Sequence, residues 1–246
     1  MAQNDHNHNR WGKGAEKGPS RPLAISLVSG GLDSCVSAAI AAEECDLAFL
    51  HLNYGQRTEK RELEAFHRIA EFYGVSRLLV ADISYLSEIG GSALTDPSLS
   101  LPENSVLNSS AGSEIPITYV PFRNTHIIAI AVSWAEVIGA ERIYIGATEV
   151  DSSGYPDCRE EYFRAYNRLI EVGTRPETRI TIHTPLLSMS KREVVETGIR
   201  LGAPLHLSWS CYQNSELACG RCDSCLLRLK GFREAGLDDP IPYEER

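Results

Sequence analysis

One junction near the start of the chain constrains the fold more than any other feature. Residues 23–28 (LAISLV) suit a buried strand, end in Ser29-Gly30-Gly31-Leu32-Asp33-Ser34, and pass into an Ala-rich helical pattern over about 33–43. A strand feeding a helix in this way is half of a parallel crossover, which needs another strand beside it and helices over the sheet. The rest of the chain repeats the alternation. Strands are predicted at 46–52, 77–83, 142–146 and 179–183, and helices at 58–73, from Pro121 to about Gly139, at 160–172 and at 191–200. The expected fold is α/β: a doubly wound, mostly parallel sheet with helices on both faces. Residues 84–118, rich in Ser, Pro, Gly and Asn, are too long for an ordinary connection. A lid, an interface arm and a disordered insert are all open readings of them.

Composition bounds the function. With 246 residues and 43% hydrophobic content there is ample core material, and no apolar run approaches the ~20 residues of a membrane span. Residues 1–22 read as a polar disordered tail without the apolar stretch of a secretory signal. The net charge of -9 argues against a surface that grips nucleic acid, while a small anion in a local pocket fits it well. Seven cysteines, an odd number with four bunched near the C-terminus, point to a reducing compartment, taken as the cytoplasm, and to a metal site.

The glycine turn suits phosphate. A helix start presents N–H groups without intrahelical partners and the positive end of the macrodipole. Two glycines bring the backbone close to an anion, and Ser29 and Ser34 add hydroxyl donors. Asp33 either caps the turn's amides or reaches a bound Mg²⁺. The Lys of a Walker A loop and the third Gly of the dinucleotide fingerprint are both missing.

Cys211, Cys219, Cys222 and Cys225 supply four thiolates within fifteen residues, the ligand set of a closed tetrahedral Zn²⁺ site with a structural role. Arg221 and Arg228 stand close enough in sequence to offset the thiolate charge. An iron–sulfur cluster and sulfur-relay cysteines are the other readings of this spacing. Cys35 and Cys45 read as small buried hydrophobes. The expected organisation is a tail (1–22), a nucleotide-binding domain (23–207) and a Cys-rich C-terminal segment (208–246).

Ser-Gly-Gly-x-Asp-Ser resembles the pyrophosphate loop of the N-type ATP pyrophosphatases, which cleave ATP between the α and β phosphates. Further segments narrow the likeness: Tyr54-Gly55-Gln56, Pro121-Phe122-Arg123-Asn124, the run from Gly146 to Arg159 ending Ser-Gly-Tyr-Pro-Asp-Cys-Arg, and Trp209-Ser210-Cys211-Tyr212. Together they resemble the 7-cyano-7-deazaguanine synthase family of queuosine biosynthesis, from about Pro22 to Gly231. The resemblance implies an adenine nucleotide alpha hydrolase-like fold. It also implies an ATP-dependent ligase that turns 7-carboxy-7-deazaguanine and ammonia into the nitrile, with structural Zn²⁺, Mg²⁺ alongside ATP, and a homodimeric state. A tRNA-thiolating enzyme of the same superfamily and a non-catalytic ATP-binding module are the alternatives.

On this resemblance ATP lies along Leu27, Val28, Ser29, Gly30, Gly31, Leu32, Asp33, Ser34, Cys35, Val36 and Ser37, with Leu52 and Asn53 beside adenine. Asp33, Arg123 and Lys191 are the catalytic candidates, the last two as cations for the developing pyrophosphate charge. A salt bridge is the other reading of each cation. Tyr54, Gln56, Tyr155, Asp157 and Arg159 are assigned to the substrate. Asp157 either accepts from the guanine-like N–H groups or stabilises the turn after Pro156, Arg159 pairs with the carboxylate, and the two tyrosines stack on the base or form its rim.

Overall fold

A computed structural model describes residues 21–103, 115–149 and 154–245. Nearly all of the expected tail, residues 104–114 of the insert, and Val150, Asp151, Ser152 and Ser153 of the Gly146–Arg159 run lie outside the described residues.

The strands are β1 (Leu23–Leu27), β2 (Asp46–Asn53), β3 (Leu78–Asp82), β4 (Arg142–Ile145) and β5 (Thr181–His183). The helices of the described residues are α1 (Leu32–Glu44), α2 (Glu59–Phe72), α3 (Tyr85–Ile89), α4 (Arg123–Ile138), α5 (Glu160–Gly173), α6 (Lys191–Arg200) and α7 (Asp223–Glu234). All strand pairs are parallel, in the order β3-β2-β1-β4-β5. The chain winds outward from β1 to β3, then returns past β1 to add β4 and β5. Crossovers therefore leave from opposite sides of β1, and a crevice opens at the carboxyl ends of β1 and β4, where such sheets bind ligands.

Alternation along the strands sends side chains to two cores. Ile25, Leu27, Ala48, Leu50 and Ile143 meet Ile128 and Trp134 of α4 and Phe163 and Tyr166 of α5 on one face. Val28 and Phe49 meet Val36 of α1, Phe66 and Ile69 of α2, Val194 and Val195 of α6 and Phe232 of α7 on the other. The expected doubly wound α/β sheet is the observed one.

Boundaries differ where tertiary pairing decides them. β5 starts at Thr181 rather than 179 because its partner, β4, begins at Arg142, the residue opposite Thr181. The expected Cys-rich segment contains α7, whose periodicity is obscured because two of its first-turn neighbourhood positions, Cys222 and Cys225, are spent on the thiol cluster. The described parts of 84–118 are packed: Leu86, Leu94 and Leu101 enter the core, and Arg57 donates to the carbonyls of Ala93, Asp96 and Leu99.

Candidate active site

The turn after β1 is held from three sides. Gly30 has φ +91°, and a Cβ there would lie 2.5 Å from the backbone oxygen of Glu62 on α2. Gly146, at the tip of β4, packs so closely that a Cβ would meet the Asp33 carbonyl at 2.7 Å. From the C-terminal segment, the Trp209 N–H donates to the Gly30 carbonyl at 2.7 Å. Within the turn, Gly31 N–H donates to Ser29 Oγ (3.3 Å), which in turn donates to Ser34 Oγ (3.1 Å). The first amides of α1 receive no side-chain cap, so an anion is free to take their N–H groups.

Asp33 does not cap the turn. Both its oxygens accept from Lys191 Nζ, at 2.8 and 2.9 Å. Lys191 is buried at the first position of α6, behind a Ser190–Glu193 capping box, and Gly231 of α7 presses against its backbone.

A cavity of about 260 Å³ opens at the carboxyl ends of β1, β2 and β4. Leu27, Leu50, Leu52 and Ile145 form its floor, and Ser29, Gly31, Asp33 and Ser34 one side. Tyr54, Arg123 and Tyr155 also line it, with Glu62 beside the turn and Trp209 and Tyr212 supplied by the C-terminal segment. Arg123 is presented by a left-handed residue, Phe122 (φ 59°), whose N–H is held by Tyr119 Oη at 2.9 Å. Such a conformation in a bulky residue is strained and persists because the surroundings fix it. The guanidinium lies 5.1 Å over the Tyr54 ring and donates to its hydroxyl at 3.3 Å, while its buried Nε has no hydrogen-bond partner.

Several expected residues stand outside this wall. Asn53 Oδ1 faces His51 Nε2 at 3.1 Å. Gln56 is a brace, accepting the Tyr54 N–H and donating to Glu62. Asp157 is buried; its Oδ2 accepts the Asn124 N–H at 3.0 Å, and the Asn124 side chain donates back to the Asp157 carbonyl at 2.9 Å. This ties the Pro121–Asn124 and Tyr155–Cys158 segments together, which is the turn-stabilising reading of Asp157. Burial pushes its pKa up against that amide bond. Arg159 is exposed at the start of α5. Cys35, Val36 and Ser37 are buried inside α1, and burial pushes the Cys35 thiol up to about 12, leaving it an unreactive hydrophobe. Glu62 and Gly146 also line the site, and the sequence carries no signal for Glu62, which sits on a helix with many charges.

The four cysteine sulfurs lie within 4.8 Å of one another and all four residues are buried. Backbone N–H groups of Gln213, Asn214 and Cys219 point at Cys211 Sγ (3.3–3.4 Å), and that of Cys222 at Cys219 Sγ (3.3 Å). Such donors offset thiolate charge, so the set fits a tetrahedral ion with no open position. Arg221 and Arg228 do not serve this purpose: Arg221 pairs with Glu103 and Glu244, Arg228 with Asp239. We expect metal analysis to find one ion per chain, and Cys225→Ser to lose the ion and lower Tm sharply; an equally stable, equally metallated variant would contradict the assignment.

The family model described as "Queuosine biosynthesis protein QueC" matches residues 23–236. The chain belongs to the QueC family. Relatives named 7-cyano-7-deazaguanine synthase match this QueC chain over nearly its full length. That of Acidobacterium capsulatum is 54% identical over 228 residues, covering 93% of this chain and 99% of the relative. That of Chlorobaculum tepidum is 54% identical over 224 residues, 91% of this chain and 97% of the relative. A solved U34-tRNA thiolase from Methanococcus maripaludis is similar at 14% identity and a TM-score of 0.47 over 79% of this chain and 61% of its own, which carries no argument about activity.

Proposed function

We propose that this QueC-family chain is an ATP-dependent ligase that converts 7-carboxy-7-deazaguanine and ammonia to 7-cyano-7-deazaguanine. The observation that carries the reading is a phosphate-suited glycine turn and a buried arginine lining one cavity, in a chain whose near-full-length relatives bear the synthase name. A carboxylate oxygen, and then an amide oxygen, is too poor a leaving group to be displaced at neutral pH. Transfer of AMP to that oxygen releases pyrophosphate and converts it into a departing phosphate ester, so one cavity serves both steps.

The turn's amides with Ser29 and Ser34 hold the departing pyrophosphate. Asp33, kept in place by Lys191, is the carboxylate that would meet the Mg²⁺ carried by ATP. Leu52 packs beside adenine. Arg123, rather than the exposed Arg159, neutralises charge at the carboxylate and phosphate being joined. Cys211, Cys219, Cys222 and Cys225 hold Zn²⁺ as a structural clip. The protein works in the cytoplasm, where its thiols stay reduced. A homodimer is supported by exposed apolar side chains (Val137, Leu169, Val172) on α4 and α5, Glu136 of α4 accepting from Thr178 in the loop that follows α5.

The test is exchange of labelled pyrophosphate into ATP dependent on the deazaguanine acid, without ammonia. Arg123→Ala should cut that exchange by about 10²–10³, and Arg159→Ala far less. The reverse order would return the carboxylate to Arg159.

A further inference from the structure

Resting on the ligase reading above, we propose that Glu62 takes a proton from ammonium in the cavity, so that nitrogen reaches the activated carbon as neutral ammonia. Ammonium has no lone pair, and at neutral pH it is the prevailing form; the site therefore needs a proton acceptor beside the reacting carbon.

Among the described residues of the wall, the carboxylates are Asp33 and Glu62. Asp33 is ion-paired with Lys191 Nζ and is the carboxylate assigned above to the Mg²⁺ carried by ATP, so its remaining lone pairs are taken up by that cation. Glu62 has capacity to spare. Thr58 Oγ1 donates to its Oε1 at 2.8 Å and Gln56 Nε2 to its Oε2 at 3.1 Å, leaving each oxygen a further lone pair. Gln56 is itself fixed by the Tyr54 N–H at 2.9 Å, so the carboxylate is held in one orientation. The contact of the Glu62 carbonyl with Gly30 sets this residue directly beside the phosphate turn.

The charged and titratable groups facing it are Arg123 from α4, Tyr54 from the end of β2 and Glu59 on its own helix. Burial raises its pKa, against the bonds from Thr58 and Gln56 and the pull of Arg123. A carboxylate shifted in this direction is a stronger base than an exposed one. In the step, an N–H bond of ammonium breaks and its proton passes to Glu62. The freed lone pair forms the C–N bond, the C–O bond to AMP breaks with its electrons leaving on phosphate, and the new nitrogen sheds a second proton to water.

The experiment compares wild type, Glu62→Gln and Glu62→Asp in three assays. These are acid-dependent ATP–pyrophosphate exchange, amide formation from ammonium, and hydroxamate formation from hydroxylamine, a nucleophile largely uncharged at neutral pH. Glu62→Gln should lose about a hundredfold or more in amide formation, with a far smaller fall in exchange. Hydroxylamine should restore its rate towards wild type, and Glu62→Asp should keep part of the ammonium rate. An exchange rate that falls as far as amide formation, or no rescue by hydroxylamine, overturns the role of Glu62. Absence of exchange in the wild type overturns the ligase reading and this inference with it.

Discussion

Arg228→Leu will lower the free energy of unfolding by about 3–5 kcal/mol, because it strands a buried carboxylate. The Arg228 and Asp239 side chains are 1% and 2% exposed. The guanidinium donates from Nε to Asp239 Oδ2 at 2.8 Å and from Nη2 to Oδ1 at 3.0 Å, the parallel fork that suits arginine and not lysine. It also donates to Ser208 Oγ, Ser210 Oγ and the Leu205 carbonyl. Asp239 in turn accepts from Tyr243 Oη at 2.7 Å. One cation thus joins α7, the stretch leading into the cysteine cluster and the C-terminal strand of chain beyond Asp239. Without it the Asp239 charge keeps the Tyr243 hydroxyl and, at 3.3 Å, the Ile241 N–H, too little to replace hydration. Urea denaturation of the metal-replete variant measures the loss. The double variant Arg228→Met with Asp239→Leu should recover much of it, since no unpaired charge is left. A single variant within about 1 kcal/mol of wild type, the range of surface ion pairs, would show the pair to be dispensable.

Gly30→Ala should abolish most activity while leaving a folded protein. A left-handed conformation in a non-glycine residue costs about 1–2 kcal/mol, which most domains absorb. The neighbour is the greater problem. The added methyl would sit 2.5 Å from the backbone oxygen of Glu62 and 3.0 Å from the Ala65 Cβ, neither of which has freedom to swing aside. The turn must shift towards the cavity, taking its N–H donors out of register with the phosphates. Misplaced donors of this kind cost about 10²–10³ in rate. Gly74→Ala is the matched control: its φ is +63°, yet nothing lies within 4 Å of the new methyl, so it carries the strain without the collision. Comparable pyrophosphate-exchange rates for the two variants would show that the close approach of α2 to the turn does not matter.

The fold was legible because the central parallel strands, buried on both faces, read as short apolar runs, and most strands led into a helical period. The start of α6 at Lys191 and the close of α4 at Gly139 follow from capping chemistry visible in the sequence. The clustering of the four cysteines was legible for a similar reason, since their spacing favours bringing the thiols together. The substrate side was harder. Asp157 and Arg159 lie in a motif that draws attention to them, but which face of a short irregular turn points inward is decided by partners elsewhere in the chain. Asp157 is turned to the amide of Asn124, 33 residues away. Glu62 shows the converse: on an amphipathic helix with many charges it reads as a solvated residue, and its place in the wall arises from Gly30 letting α2 approach. The Lys191–Asp33 pair spans 158 residues and no local pattern announces it.

The most direct test of the account is the mass of the product. Purified protein incubated with ATP, Mg²⁺, ammonium and 7-carboxy-7-deazaguanine should yield the nitrile, with both carboxylate oxygens lost, nitrogen from labelled ammonium gained, and AMP and pyrophosphate released in step. Recovery of the acid unchanged, with ATP intact or cleaved to ADP, would contradict the account at its centre.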